Sequence, residues 1–316
     1  MVRRSILVVV VVLTLLAGCS AFGAGDTPGG TTPTGVSTPP PTPTATPTAT
    51  DTATVTSDSR GIPGVTDRRV TDSSALVAAH DATLRNTSVT AHRNLTLRYP
   101  NGTVAYQQLS TVRIDSQRDR LFADVSYSLA DRLVTVTPRH GEPTTGMDVW
   151  LANRTYLVEA TFEPGNVTYR GTAFNESTSD TYEIYWASLA GTGQRYLSKA
   201  LGGPNATVGD AVTRDGTTLY SVESTNPETP PSILSTQSPP RGAFGQPTNV
   251  STTALVSEQS VVHRSTTTYT TTVGEDDTPI QVAYTLRFTD IGSTTVERPS
   301  WYETALNRTD LSEFGS

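Results

Sequence analysis

The residues around Cys19 indicate a specific chemical modification of its thiol. It is the only cysteine among the 316 residues, so its thiol cannot form an internal disulfide. Leu16, Ala17 and Gly18 come directly before it. This order matches a lipobox, in which a peptidase cuts before the cysteine and the thiol receives a thioether-linked lipid. We therefore predict that Cys19 carries a lipid and becomes the N-terminus of the mature chain.

The first 18 residues have the anatomy of a signal peptide. They contain Arg3 and Arg4, no acidic residue, and an 11-residue run at positions 6–16 that is apolar apart from Thr14. A helix that crosses the hydrocarbon core needs about 20 apolar residues, so this run suits a cleaved signal better than a permanent anchor. The two arginines followed by Ser5, Ile6 and Leu7 fit the twin-arginine export pattern. General secretion is the alternative route.

The charge balance narrows the class of protein and of partner. The chain has 30 acidic and 23 basic residues, and Lys199 is its only lysine. Serine and threonine together account for 85 residues. An acidic, lysine-poor and threonine-rich composition is typical of halophilic archaea, because concentrated salt screens the repulsion between surface carboxylates. The same acidity argues against a nucleic-acid partner, which requires a basic face.

Asparagine occurs almost entirely in one local pattern. Nine of the ten asparagines begin an Asn-x-Ser/Thr triplet, although the serine and threonine content predicts only two or three by chance. Such triplets accept N-linked glycans on exported proteins. Asn94 qualifies only if its side chain faces outward from a strand. The other eight candidate glycosylation sites are Asn86, Asn101, Asn153, Asn166, Asn175, Asn205, Asn249 and Asn307.

The chain divides into four parts. Residues 1–18 are the signal peptide, and residues 19–65 form a lipidated Thr/Pro-rich stalk that is too polar to build a core. Residues 66–307 form a single β-rich globular domain, and residues 308–316 form a tail. Within the domain, the proline-rich stretch 225–248 lacks periodicity, so we expect a functional loop, such as a lid, or disorder there.

Hydrophobic periodicity predicts mostly strands. Apolar and polar residues alternate over residues 94–99, 121–129, 156–162 and 281–288, which indicates antiparallel strands with one buried face. Helical spacing appears over residues 73–86, behind Asp72 or Ser73 as a cap, and over 179–201, as one or two helices. Near the C-terminus, Ser300 and Glu303 have the spacing of a capping box. The expected fold class is therefore α+β and mainly β.

Several segments resemble an uncharacterised haloarchaeal lipoprotein family. They are the lipobox, the stalk, the Ala-Leu-Val-Ala-Ala-His segment at 75–80 and the ending that runs from Tyr284 to Trp301. That family is similar in layout to lipoprotein carriers and mycobacterial lipid-binding lipoproteins. The resemblance implies a curved antiparallel half-barrel with a few helices packed on its concave face. It brings no catalytic signature.

The sequence lacks the common catalytic and metal-binding motifs, which favours a protein that is not an enzyme. The chain has no His-Glu-x-x-His, Gly-x-Ser-x-Gly or phosphate-binding glycine motif, so we expect no metal, no cofactor and no catalytic residue. His80, on the apolar side of a predicted helix, is better explained as a packed core residue than as a ligand. The acidic triplet at 275–277 is better explained as a solvated hairpin tip than as a cation site.

The leading hypothesis is a non-catalytic binding module, held by its lipid on the extracellular face of the cell membrane, for an apolar or lipid-like ligand. The alternatives are a structural or interaction glycoprotein of the cell envelope and, third, a hydrolase. Aromatic residues on the predicted buried faces would line the pocket or, equally, would simply fill the core. These candidate liners are Tyr156, Phe162, Tyr169, Tyr185, Trp186, Tyr284 and Phe288.

Overall fold

The computed structural model describes residues 61–129, 144–225 and 244–309, apart from positions 67, 164, 192, 204, 215 and 275. The signal peptide, Cys19, the stalk up to position 60, most of the 225–248 loop and the last seven residues lie outside the described residues. The predictions made for those segments are therefore not tested by the structure.

Thirteen strands make up most of the domain. In chain order they are β1 (Val65–Thr66), β2 (Arg69–Val70), β3 (Val89–Arg98), β4 (Val104–Ile114), β5 (Arg120–Leu129), β6 (Thr144–Ala152), β7 (Thr155–Phe162), β8 (Asn166–Ala173), β9 (Thr207–Arg214), β10 (Thr217–Thr225), β11 (Thr248–Ser257), β12 (Val262–Val273) and β13 (Thr278–Thr289). The alternating segments recognised in the sequence coincide with β3, β5, β7 and β13, apart from Tyr99, which follows the last residue of β3, and these four predictions are confirmed.

Four α-helices accompany the strands. They are α1 (Ser73–Arg85), α2 (Ser179–Leu189), α3 (Gln194–Ala200) and α4 (Tyr302–Arg308), and a 3-10 turn (Glu176–Thr178) precedes α2. Asp72 caps α1, since its carboxylate accepts a hydrogen bond from the backbone N–H of Ala75 at 2.9 Å. The predicted helical stretch 179–201 is interrupted before Gly193, which has a φ of 76° that favours glycine.

The capping box predicted at Ser300 is wrong. The helix begins at Tyr302, and no side chain caps it. The N–H of Tyr302 donates instead to the carbonyl of Pro299 at 3.1 Å. A backbone turn, rather than the Ser300 side chain, therefore satisfies an N–H group at the start of the helix. The Glu303 carboxylate pairs with Arg298 at 3.4 Å rather than reaching back to the helix start.

All the strands belong to one open antiparallel sheet. Its order is β1-β2-β9-β10-β11-β12-β13-β3-β4-β5-β6-β7-β8. Consecutive strands are neighbours except where β2 meets β9 and where β13 meets β3, so the sheet consists of two meanders joined through the β13–β3 pair. The predicted fold class, an α+β, mainly β fold with a curved antiparallel sheet, is confirmed.

Helices α1, α2 and α3 pack against one face, which we call the concave face. They contribute Leu76, Tyr185 and Leu197 to a large apolar core that also contains residues from every strand except β8. His80 of α1 is fully buried there, and its Nδ1 accepts a hydrogen bond from the N–H of Val262 at 3.2 Å. The prediction that His80 is a packed core residue is confirmed.

The opposite, convex face carries α4. The segment leading into this helix places Trp301 against Trp150 and Leu157 of β6 and β7, and Ala305 of α4 is fully buried in the same cluster. One helix therefore packs on the other side of the sheet from the first three, and it covers only the part of the convex face that β6 to β8 form.

Arg93 connects the sheet to α2. It occupies an inward-facing position on β3, opposite Ser110 of β4. Its Nη2 donates to the carbonyl oxygens of Leu189 at 3.2 Å and Gly191 at 2.8 Å, at the C-terminal end of α2. Carbonyls at a helix C-terminus lack intrahelical partners and carry partial negative charge, so a guanidinium stabilises them.

We expect the substitution Arg93→Ala to lower the free energy of unfolding by about 2 kcal/mol, because two charge-assisted hydrogen bonds are lost in a half-buried position. Denaturant unfolding followed by circular dichroism measures this difference. Arg195→Ala, at an exposed position on α3, is the control and should change the stability by less than about 0.5 kcal/mol. Equal effects of the two substitutions would show that Arg93 does not hold α2.

Candidate functional site

A row of polar side chains crosses the concave face. Backbone register aligns one residue from each of seven neighbouring strands, which in sheet order are β5, β4, β3, β13, β12, β11 and β10. In the same order the residues are Tyr127, Gln108, Leu95, Tyr284, Thr267, Thr252 and Ser224. All except Leu95 carry a polar group. We call this row the polar band. It separates the core under the helices from a second apolar cluster nearer the upper end of the sheet, where β3, β5 and β7 end.

One end of the polar band is fully hydrogen-bonded. The hydroxyl of Tyr196, from α3, lies 2.6 Å from Oγ1 of Thr267, which lies 2.7 Å from Oγ1 of Thr252. Ser224 donates to the carbonyl of Gly202 at 3.2 Å. Both threonines are completely buried, and the network satisfies them while it ties α3 to the sheet. This end of the band is structural.

The other end of the band is not satisfied. The hydroxyl oxygen of Tyr127 is buried and has no hydrogen-bond partner among the described residues. The same holds for Ser110, which is the next inward residue after Gln108 on β4 and lies just outside the band. Burial raises the pKa of Tyr127, so this phenol is a neutral donor. A buried hydroxyl without a hydrogen bond lowers the free energy of unfolding by about 1–3 kcal/mol. Such a group in a native protein therefore indicates a functional role. Other atoms of Tyr127 are accessible, so the residue is at the boundary of the core.

The helices cover only the lower part of the concave face. Along β7, Tyr156 and Val158 are each 3% exposed, whereas Ala160 and Phe162, which point the same way, are half-exposed. The same change occurs on β5, where Val125 is buried and Tyr127 is partly exposed. An apolar inner surface is therefore open to solvent above the helices. We call Tyr127, Ala160, Phe162 and Arg170 the concave patch.

Arg170 gives the concave patch its charge. It lies on β8 opposite Val158, on the same face as Tyr156, and it is half-buried. None of the ion pairs or side-chain hydrogen bonds between described residues includes Arg170. Burial lowers the pKa of its guanidinium, and the neighbouring Tyr156 opposes this effect. A partly desolvated cation without a counter-ion is costly, and an anion would remove that cost.

The nearest row of carboxylates lies on the other side of the sheet. Asp124, Asp148 and Glu159 are directly opposite one another on β5, β6 and β7, at convex-face positions. Nε1 of Trp301 donates to Oδ2 of Asp148 at 3.2 Å. Burial, together with the charges of Asp124 and Glu159, raises the pKa of Asp148 to about 6, against the opposing effect of the Trp301 hydrogen bond. No group of three or more His, Cys, Asp or Glu side chains within the described ranges could hold a metal ion.

The seven aromatic residues predicted to line a pocket do not gather around one cavity, although five of them lie in or against the core under the helices. Tyr156 and Tyr185 pack edge to face at 4.9 Å, and Trp186 joins their cluster through Tyr182. The remaining three on the concave face also occupy different places: Phe288 packs on His80, Tyr284 on Tyr196, and Phe162 belongs to the concave patch.

Tyr169 lies on the convex face in the cluster around Trp301, so the sheet separates it from the other six aromatic residues. Sequence reasoning did not select Arg170 or Tyr127. The alternation of β8 does contain a signal, since Arg170 is a cation between Thr168 and Thr172 at inward positions of an edge strand.

The nine Asn-x-Ser/Thr triplets all lie within the described ranges. Asn94 and Asn175 are half-buried, and their side-chain oxygens accept hydrogen bonds from Oγ1 of Thr96 at 2.9 Å and from the N–H of Thr178 at 3.1 Å. The other seven asparagines are exposed: Asn86, Asn101, Asn153, Asn166, Asn205, Asn249 and Asn307. Exposure meets one requirement for glycosylation at these seven positions.

No protein-family model and no curated protein matches the sequence. Among solved structures, the chain is similar to a DUF1329 family protein from Desulfovibrio piger, with 7% identity, a TM-score of 0.26, and coverage of 73% of this chain and 95% of that one. It is also similar to a putative outer membrane lipoprotein-sorting protein domain from Vibrio parahaemolyticus, with 8% identity, a TM-score of 0.22, and coverage of 74% and 97%. These similarities are too remote to assign a function.

We expect Asp148→Asn to stabilise the protein in a pH-dependent way. The raised pKa means that the folded protein binds the Asp148 proton more tightly than the unfolded chain, so its stability decreases as the pH rises from about 4 through 6. Asparagine removes this cost and keeps an acceptor for Trp301. Because the carboxyl is half-exposed, solvent screening reduces the gain to about 1 kcal/mol above pH 6.

Thermal unfolding of both proteins between pH 4 and pH 8 measures this effect. The difference should shrink steadily toward pH 4, since it vanishes only when Asp148 is protonated in both states, below the unfolded pKa of 3.8. Asp276→Asn, at an exposed position in the turn between β12 and β13, is the matched control and should show no such dependence on pH. A constant difference between Asp148→Asn and the wild type would show that Asp148 does not titrate in this range.

Proposed function

We propose that this protein is a membrane-anchored extracellular lipoprotein whose domain binds, without catalysis, an amphiphile with an acidic head group. The observation that carries the proposal is Arg170, a half-buried guanidinium with no counter-ion among the described residues, beside an open apolar surface. The lipobox and signal sequence support the anchor and the location. No helix within the described ranges is long and apolar enough to cross a membrane.

The concave patch supplies both parts of such a site. Ala160 and Phe162 offer apolar contact for a hydrocarbon chain, and they continue into the buried surface formed by Val158 and Met147. Arg170 presents a planar fork of N–H donors that matches a carboxylate or phosphate in a bidentate manner. Tyr127 supplies a further donor at the boundary of the core, since its hydroxyl has no partner among the described residues.

The position of the carboxylates supports this assignment. Asp124, Asp148 and Glu159 could neutralise a guanidinium, but all three point to the convex face. Strand alternation therefore keeps the acidic row and the cation apart, with the sheet between them. A bound anion would pair with Arg170 without displacing an internal partner, and binding would recover part of the desolvation cost of that cation.

The exposed apolar residues give less support to a purely structural role. The large hydrophobic side chains that are most exposed within the described ranges are Leu109, Val167, Ile184 and Val212. They belong to β4, β8, α2 and β9, and several strands separate the three that lie on the sheet. Residues scattered in this way do not form a contiguous patch of the kind that protein partners bury.

We expect Arg170→Met to weaken the binding of a long-chain fatty acid by about tenfold or more, since charge-assisted hydrogen bonds contribute about 1.5–3 kcal/mol. The substitution should leave the affinity for the matching fatty alcohol nearly unchanged. The measurement uses the domain from about residue 58 onward, which retains the core residues Ile62 and Val65. A fluorescent fatty acid is titrated onto it, and the unlabelled fatty acid and the matching fatty alcohol are then added as competitors.

Arg214→Met, at an exposed position on β9, is the control for a general loss of positive charge and should bind both lipids like the wild type. Organic extraction followed by mass spectrometry of the native protein identifies any lipid that is purified with it. Equal binding of acid and alcohol by the wild type, or equal loss with Arg170→Met and Arg214→Met, would contradict the assignment of Arg170 to the head group.

The anchor has a separate test. Cys19→Ser removes the thiol that would accept the lipid, so we expect an unprocessed precursor and loss of the lipid-modified N-terminal peptide from the mass spectrum. Ser37→Ala, in the stalk, is the control and should be processed and retained at the membrane like the wild type. A normally cleaved Cys19→Ser protein that remains in the membrane fraction would refute the lipobox assignment.

A further inference from the structure

The convex face contains a recess that none of the features above uses. Its volume is about 270 Å³, and it spans β3, β13, β12 and β11. Two adjacent cross-strand rows form its base: Thr96, Ala283 and Thr268 in one, and Arg98, Gln281 and Thr270 in the other. Apart from Ala283, every side chain in these rows has a hydrogen-bonding group. We call this feature the convex recess.

Asn249 stands at the edge of the convex recess because β11 contains a bulge. Thr248 pairs with Thr270 and Ser251 with Thr268, so β11 has one more residue than β12 between these two pairs. A bulge of this kind turns a side chain away from the regular alternation. Val250 remains buried on the concave side, whereas Asn249 is exposed and lines the recess.

The backbone at Asn249 also restricts which residue can stand there. Its φ is 54°, in the left-handed region, which asparagine tolerates better than most side chains with a Cβ. Asn249, Val250 and Ser251 form a glycosylation triplet. The one asparagine amide at this bulge is thus exposed, belongs to an acceptor sequence, and lies beside a recess of matching polarity.

The lining of the recess suits a sugar ring. The hydroxyls of Thr268 and Thr270 can donate and accept, and the Gln281 amide can do both. The Arg98 guanidinium keeps donors beyond the Nη1 that contacts the Gly102 carbonyl at 3.2 Å. We propose that Asn249 carries an N-linked glycan whose first sugar residue lies in the convex recess. This modification site depends on export of the chain and is independent of the concave patch.

Docking of the sugar has a structural consequence. A sugar bonded to Thr268, Thr270 and Gln281 connects β11, β12 and β13 at the place where the bulge interrupts the β11–β12 ladder. The glycan therefore compensates locally for the backbone hydrogen bonds that the bulge removes. Glycans at exposed asparagines away from the recess, such as Asn205, lack this effect.

The test uses the full-length protein purified from the organism that makes it. Ser251→Ala destroys the acceptor triplet but keeps Asn249 and its backbone conformation, and Ser251→Thr keeps the triplet. Thr207→Ala, at an exposed position, removes the triplet of Asn205 in the same way and is the matched control. Glycopeptide mass spectrometry measures occupancy, and amide hydrogen exchange reports local opening of β11 and β12.

We expect Asn249 to be occupied in the wild type and in Ser251→Thr, and unmodified in Ser251→Ala. Exchange around the bulge should become about fivefold faster in Ser251→Ala, as the loss of one or two hydrogen bonds predicts, and should not change in Thr207→Ala. Gln281→Ala, with the glycan present, should give an intermediate increase.

Two results would overturn the proposal. One is an unmodified Asn249 in the native protein, and saturable binding of a free monosaccharide to that protein would then identify the recess as a sugar-binding site instead. The other is a modified Asn249 whose loss, in Ser251→Ala, leaves exchange at the bulge unchanged, which would show that the sugar does not occupy the recess.

Discussion

The backbone hydrogen bonds between β13 and β3 join two meanders that are far apart in the sequence. Nine residue pairs, from Gln281 with Arg98 to Thr289 with Thr90, set their register. A slip of one residue would turn every side chain of one strand to the other face. The pairing therefore places Tyr284 opposite Leu95, in line with Gln108 of the polar band. It also places Leu286 opposite Arg93, under the helices.

This register buries the polar band inside the core. A row of hydroxyl and amide groups inside an apolar core is unfavourable unless the groups are paired. Tyr196 and Thr252 complete the pairing at one end, where α3 covers the sheet. At the other end Tyr127 is only partly covered, and its buried hydroxyl remains unsatisfied among the described residues. Arg170 lies on β8, three strands beyond Tyr127, opposite the buried Val158 and diagonal to the partly exposed Ala160.

The two faces of the sheet serve different chemistry because strand alternation separates them. The concave face holds the apolar core and the patch around Arg170, and the convex face holds the acidic row, the C-terminal helix and the recess beside Asn249. Neither the acidic row nor the recess borders the concave patch directly. A site on one face can therefore be altered by substitution without changing side chains on the other.

The sequence by itself determined the local structure. Alternation in β3, β5, β7 and β13 and helical spacing in α1 follow from the burial of one face, which is a property of neighbouring residues. The mainly β class and the buried role of His80 followed in the same way. The capping box at Ser300 failed because a backbone turn at Pro299 satisfied the helix start, and the local pattern contained no sign of that competition.

Only the tertiary structure decided which residues meet. Five of the aromatic residues chosen as pocket liners lie in or against the core under the helices, whereas Tyr169 lies on the opposite face of the sheet and Phe162 lies outside that core. Arg170 became notable only when the sheet order placed the acidic side chains of the neighbouring strands on the other face. The physical reason is that the sequence of each strand encodes which of its residues are buried. Which residues meet on neighbouring strands depends on strand order and register, and these are set by contacts between distant parts of the chain.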